Sequence, residues 1–175
     1  MLFKGRAFQD YFPKNKCPGC GPANKTAHGH RIKTYWGSLP ALETMCEWKP
    51  GKACECWPDT LHGCCSMSLM DCNSIWTAIA ARYELEKRPF ATAPYIIYVT
   101  AGFPGNPTLK KPIPVDIDHI SIISKVLELN EKSRKCLLSS VIYVKGVICA
   151  ETQVLAVQPE LTQKEIKKYL GIAKQ

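Results

Sequence analysis

Acidic residues are the scarce charged class in this 175-residue chain: 15 Asp and Glu stand against 23 Lys and Arg, a formal charge of +8. That shortage argues against cationic partners. It favours anionic ones, among which charge alone does not choose: nucleic acid, acidic surfaces and phosphate-bearing cofactors. Long apolar runs are missing too. No stretch approaches the ~20 residues that cross a bilayer, which argues against a membrane partner. The opening MLFKGRAFQDYF lacks the apolar run of a secretory signal, so a cytoplasmic location is expected. Internal repeats and low-complexity tracts are absent, which leaves a single domain over residues 1–175. With 46% hydrophobic and 22% charged residues, the composition is that of an ordinary globular protein. What the chain does have is cysteine, ten in all. Without a secretion signal, these are expected to remain thiols or to bind metal in a reducing compartment.

Residues 1–30 read as a basic, irregular extension carrying the turn-rich knuckle CPGC. RIKTYW (31–36) and ALETMCEW (41–48) read as strands around the turn GSLP, and KPGKACECWPD (49–59) as a loop. Between Gly63 and Leu85 the chain lacks Pro and internal Gly, enough for about six helical turns. This helix is apolar around most of its circumference and belongs in the interior. Strand-like runs follow at 94–103, 118–129, 135–144 and 146–157, with turns at 130–134 and Gly146. Residues 160–175 carry a Thr162…Glu165 capping box and apolar Ile166, Tyr169 and Leu170, an amphipathic surface helix. Strands, one long buried helix, then more strands imply an α+β fold: an antiparallel β-sheet wrapped around a central α-helix.

The stretch LHGCCSMSLMDCNSIWTAIAARY (61–83) carries one carboxylate, Asp71, in that interior helix. Burying an unpaired acid is costly, so such a residue has a partner or a task. The plainer expectation is a bond to Ser68, Asn73 or a neighbouring backbone N–H. The sharper one is chemistry. The His62-Gly63 end of the helix offers free backbone N–H groups and a positive dipole, and Gly63 has no side chain to block an approaching carbonyl oxygen. An acid together with an oxyanion hole is the minimum equipment for acyl transfer to water. Yet His62 and Asp71, nine positions apart, face opposite sides of one helix roughly 13 Å apart. A two-fold dimer with antiparallel helices could bring one chain's His-Gly end to the other's Asp71.

LHGCCSMSLMD resembles the signature of hotdog-fold acyl-CoA thioesterases of the phenylacetyl-CoA thioesterase type. Their helix opens His-Gly-Gly and carries an acid eight or nine positions after the His; His62, Gly63 and Asp71 fall on those positions. CPGCGPAN followed by Gly29 resembles an opening found in part of that superfamily. LKKPIPVD (109–116) with the later strands resembles its basic-Pro-x-Pro turn and closing hairpins. The resemblance covers roughly residues 15–158. Cys64 stands where the pattern has a second Gly, CECWPD replaces an upstream Asn or Gln, and AGFPGNPT (101–108) looks like an insertion. The resemblance implies a hotdog fold with an extra C-terminal helix and hydrolysis of an acyl-CoA thioester. Gly63 N–H would form the oxyanion hole, His62 would orient the carbonyl or loop, and Asp71 from a facing subunit would act as base or nucleophile. Coenzyme A would enter as part of the substrate, no cofactor would be required for catalysis, and Lys110, Lys111 and Arg88 would meet the CoA phosphates. A homodimer or dimer of dimers is expected.

Cys17-x-x-Cys20 followed by His28-Gly-His30 has the residue types of a structural zinc site, against the plainer reading of a tight turn with two buried thiols. Cys64, Cys65 and Cys72 read as small core residues, with Cys64 a second candidate nucleophile. Trp57, Trp76 and Tyr83 read as core or acyl-pocket wall. Two competing functions remain: a non-catalytic acyl-CoA-binding module on the same fold, favoured by Cys64, and a zinc-stabilised nucleic-acid binder. Against the latter, the basic residues are spread along the chain and no aromatic-basic ribonucleoprotein motif appears.

Overall fold

The computed structural model describes residues 5–26 and 29–172. In chain order the strands are β1 (Tyr35–Ser38), β2 (Glu43–Trp48), β3 (Glu55–Trp57), β4 (Thr60–Leu61), β5 (Val99–Gly102), β6 (Thr108–Leu109), β7 (Ile120–Leu129), β8 (Lys135–Val144) and β9 (Val147–Val157). Helix α1 (Gly63–Leu85) lies between β4 and β5, and α2 (Gln163–Leu170) follows β9. Among the described residues, the main sheet runs β1-β2-β7-β8-β9-β5, with β6 also paired to β9 and β3-β4 forming a separate hairpin. Every pairing is antiparallel.

The long strands follow from alternation. On β8, Cys136, Leu138, Ser140 and Ile142 are buried while their neighbours are not, the period of two that puts one face on a core. β8 and β9 join through Lys145-Gly146, both at positive φ (47° and 78°). That is the conformation a two-residue hairpin requires at both central positions. α1 packs across β7, β8 and β9, and its buried residues continue almost unbroken from Cys72 to Ala81.

The helix carries a group of buried polar residues toward the sheet. Asn73 donates to Ser124 Oγ (2.8 Å) and accepts from Thr34 Oγ1 (2.9 Å). Ser124 bonds Ser140 (2.9 Å), Thr77 bonds Thr44 (2.5 Å), and Gln9 both donates to and accepts from Thr34 (2.8 Å each). Gln9, Thr34, Thr44, Asn73, Thr77, Ser124 and Ser140 are all fully buried. The network meets the rule that polar groups removed from water must find partners. It also ties the N-terminal segment into the core. Phe8 and Phe12 from that segment are buried against Trp36, Trp76 and Phe90, so residues 5–26 are a structural layer rather than an appendage.

Two expected strands are trimmed by side chains that take their backbone groups, and the expected 49–59 loop holds some regular structure. Residues 31–34 stay outside β1 because their N–H groups are used elsewhere. Ile32 donates to Gly19 O (3.3 Å) and Thr34 to the Gln9 side chain (2.8 Å). Residues 94–98 stay outside β5 for the same reason. The Gln163 amide bonds both backbone groups of Tyr95 (2.6 and 2.9 Å), and Ile96 N–H donates to Tyr83 Oη (3.4 Å). The 49–59 loop contains a 3-10 turn at Lys52–Cys54 and strand β3. Trp57, expected as core or pocket wall, is 75% exposed on that hairpin, whereas Trp76 and Tyr83 are buried. α2 carries the expected capping box: Thr162 and Glu165 each bond the other's backbone N–H. Its C-terminal Gly171 has φ +69°, and a Cβ there would stand 2.6 Å from Lys14 backbone. Only glycine lets that helix end close on the N-terminal segment. No helix among the described residues is long and apolar enough to cross a membrane.

Candidate functional site

His62 is the N-cap of α1, and its Nδ1 accepts from Cys64 N–H at 3.0 Å. The side chain therefore closes the first turn. Gly63 is the first helical residue, and its N–H is one of those the helix itself cannot use. The loop before it is held by His62 N–H donating to Cys54 O (2.7 Å) and Leu61 N–H to Ile113 O (2.8 Å). The 109–114 turn thus lies directly against the helix start. A Cβ on Gly63 would come 3.2 Å from Leu109 Cδ1, tighter than side chains normally sit.

Beside this end lies a cavity of about 280 Å³ lined by Thr60, Leu61, Ser66, Leu109, Lys110, Lys111, Pro112 and Ile113. Lys110 and Lys111 both donate their N–H groups to Cys149 O (2.7 and 3.2 Å), which pins the turn to β9. Lys110 also pairs with Glu151 at 2.7 Å. Arg88 lies at the other end of α1. Its guanidinium bonds Glu86, Thr92 O and Pro94 O and stacks over the Tyr83 ring. The helix therefore separates Arg88 from the two lysines, and the three cations do not share a surface in one chain.

Asp71 is half-buried, two turns into α1. Its Oδ1 accepts a short bond from the Thr100 hydroxyl on β5. Burial raises its pKa, the Thr100 bond opposes that rise, and the nearby Cys17 charge adds to it. The lone acid therefore takes a partner from a strand, not Ser68 or Asn73. Nothing in the sequence singles out Thr100, which becomes a partner only when the β5 edge folds over the helix. α1 is continuous, so Gly63 and Asp71 of one chain stand about 12 Å apart along the axis. A second cavity of about 690 Å³ opens on the same side; Ile75, one turn beyond Asp71, and Val99, beside Thr100, are in its wall with Trp76 and Ile79.

The cysteines sort into two clusters. Cys17, Cys20 and Cys72 have their sulfurs within 4.8 Å of one another, and the donor atoms of His30, Cys54 and Cys65 do likewise. The knuckle thiols thus meet a helix cysteine, while the His30 ring meets two other thiols and packs edge-on to Trp48. His28 lies outside the described residues. Hydrogen bonds from Cys20 and then Cys72 hold the Cys17 thiol well below the usual range. Those same interactions with Cys17 push Cys72 up and Cys20 up to about 12. Cys72, Cys54 and Cys65 are the ligand-type residues that spacing alone leaves out, because their cluster partners Cys17, Cys20 and His30 lie well away in sequence.

No family model and no curated protein matches the sequence. Solved structures do match. A thioesterase superfamily protein from Shewanella loihica is 21% identical, with a TM-score of 0.57 over 76% of this chain and 95% of its own. A phenylacetic acid degradation-related protein from Ralstonia eutropha has a TM-score of 0.62 at 11% identity, over 86% and 98%. A hypothetical thioesterase from Streptococcus pneumoniae, solved with coenzyme A, has a TM-score of 0.53 at 14% identity, over 66% and 80%. Identities this low speak to architecture, and the architecture is plain: this chain has the hotdog fold of the thioesterase superfamily structures it matches.

Proposed function

We propose that the protein hydrolyses acyl-CoA thioesters at a site shared between two copies of the chain. The observation that carries this reading is Asp71: a half-buried carboxylate with a raised pKa and one hydroxyl donor, on a helix whose tip has a glycine amide that the helix itself does not use, next to a cavity lined by two lysines. The likeness to a thioesterase solved with coenzyme A supports the choice of substrate class. The axial gap between Gly63 and Asp71 supports the second copy, since one helix cannot present both to one carbonyl.

The thioester carbonyl accepts from the Gly63 N–H at the positive end of the helix, which lowers the cost of charge on oxygen. Asp71 of the facing copy takes a proton from water as the water oxygen attacks the carbonyl carbon. The tetrahedral intermediate collapses by breaking the C–S bond, and the thiolate leaves and takes up the proton. Alternatively, the carboxylate attacks first and water opens the resulting anhydride. His62 acts by holding the loop and the first helical turn. Lys110 and Lys111 meet phosphate oxygens, and the apolar wall around Ile75 and Val99 receives the acyl group.

The test is thiol release from short, aromatic and long acyl-CoAs by the wild type and Asp71→Asn. Turnover that the variant loses while still binding substrate supports the proposal; equal rates in both proteins sink it. In a single turnover in heavy-oxygen water, label in Asp71 identifies the nucleophilic route, because the general-base route puts the heavy oxygen in the product acid alone. A second reading, acyl-CoA binding without turnover, draws on one observation: the Cys64 N–H, the neighbouring donor, is already taken by His62. Binding with no thiol release from any acyl-CoA would favour it.

A further inference from the structure

The Cys17, Cys20 and Cys72 cluster supplies no reacting group to the hydrolysis above, although Cys17 and Cys20 line the same cavity as Ile75 and Val99. Cys17 and Cys20 flank Pro18-Gly19, and Cys72 comes from α1. The Cys17 and Cys72 sulfurs are 3.8 Å apart, and all three lie within 4.8 Å of one another. Two magnitudes decide what that spacing suits. A disulfide needs about 2.05 Å between sulfurs. A tetrahedral zinc centre with bonds of about 2.3 Å places its sulfurs about 3.8 Å apart.

The knuckle is built to stay where it is. Gly21 N–H donates to Cys17 O (2.9 Å), His30 N–H to Pro18 O (3.0 Å) and Ile32 N–H to Gly19 O (3.3 Å), and Cys17 N–H donates to the Asn15 side chain (2.8 Å). Gly19 lies directly over the helix: a Cβ there would stand 2.3 Å from Cys72 Sγ and 3.0 Å from Ser68 Oγ. Glycine is what allows the two cysteines of the turn to close onto the third.

We infer that Cys17, Cys20 and Cys72 bind one thiophilic divalent cation of the zinc class and so fasten the N-terminal segment to the central helix. Three S–metal bonds form, the thiol protons pass to solvent, and no atom changes oxidation state. Among the described residues no fourth His, Cys, Asp or Glu joins the trio; in the proposed centre, water takes the fourth position. The cavity of about 690 Å³ that Cys17 and Cys20 help to line gives that water room. Three thiolates and a divalent cation leave one negative charge, and Lys16 and Lys168 line the same cavity, with Glu165 its one acid.

The test measures metal on the full chain, purified under reducing conditions without chelator. The wild type is expected to carry about one zinc per chain. Cys17→Ser and Cys72→Ser are expected to carry almost none, while Cys54→Ser, which alters the His30 cluster, keeps its zinc. X-ray absorption on the wild-type metal then counts three sulfur neighbours at about 2.3 Å, a reading that stands even if Cys72→Ser fails to fold. A wild type without metal overturns the inference. So do a folded Cys17→Ser that retains its zinc, loss of metal in Cys54→Ser, and a Cys17–Cys72 disulfide found in the reduced preparation. None of these readouts depends on turnover, so hydrolysis and metal binding stand or fall separately.

Discussion

Two residues apart on α1, Asp71 and Asn73 meet opposite surroundings. Successive helical positions turn by about 100°, so a step of two moves a side chain nearly to the other side. Asn73 goes to the sheet, is fully buried, and has both ends of its amide bonded. Asp71 goes to the side covered by β5 and the N-terminal segment, is half-buried, and has one hydroxyl partner. The first arrangement is complete and therefore structural: every buried group is paired, and removing one leaves others stranded. The second is incomplete. A carboxylate with one donor and a raised pKa has lone pairs to spare for a substrate or water. What marks the candidate catalytic residue is the deficit of partners, not polarity in an apolar helix, since Asn73 and Thr77 are equally polar and more deeply buried.

Exchanging residues on each side tests that contrast. The largest effect is expected from Asp71→Asn, which lowers acyl-CoA hydrolysis by about 10²–10⁴-fold and leaves the melting temperature near the wild-type value; thiol-release kinetics and thermal unfolding measure the two. Asn73→Ala should do the reverse. The Thr34 hydroxyl loses its acceptor, and the fold is destabilised by about 2–4 kcal/mol while turnover per folded molecule holds; urea denaturation gives the figure. Thr100→Val should show how far positioning matters. Without its one donor the Asp71 carboxylate turns more freely, and kcat drops by about tenfold with KM little changed. The smallest effect is expected from Thr162→Ala, distant from both faces. Losing half of the α2 capping box costs about 1 kcal/mol, visible in denaturant midpoints and absent from kinetics. If Asp71→Asn and Asn73→Ala were instead to lower stability alike and spare turnover alike, the distinction between the two faces would fail.

Local signals were legible wherever a residue's neighbours in sequence are also its neighbours in space. The extent of α1, the Thr162–Glu165 box, the turn at Gly146 and the alternation of β7, β8 and β9 belong to that class, because helix periodicity, caps and hairpins are local physics. The resemblance around His62, Gly63 and Asp71 added the fold. Less legible was the treatment of 31–34 and 94–98. Both read as strand, yet Gln9 and Gln163 take their backbone groups. Lys110, Lys111 and Arg88 read alike as basic residues near strand ends. The fold sets the lysines at the helix start and gives Arg88 to Glu86, Thr92 and Pro94 at the far end.

By itself, then, the sequence determined the order of the long elements, though not the short strands β3, β4 and β6, together with an interior helix with a His-Gly tip and one acid, and an antiparallel sheet around it. Periodicity, capping and turn chemistry act over a few residues and can be read without coordinates. Tertiary structure alone decided which cysteines meet, that Thr100 is the partner of Asp71, and that a polar network joins Gln9, Thr34, Asn73, Ser124 and Ser140. Most of those contacts join residues from 16 to 55 positions apart. Their geometry follows from how the helix rolls against the sheet and how the N-terminal segment closes over it, neither of which any short stretch encodes.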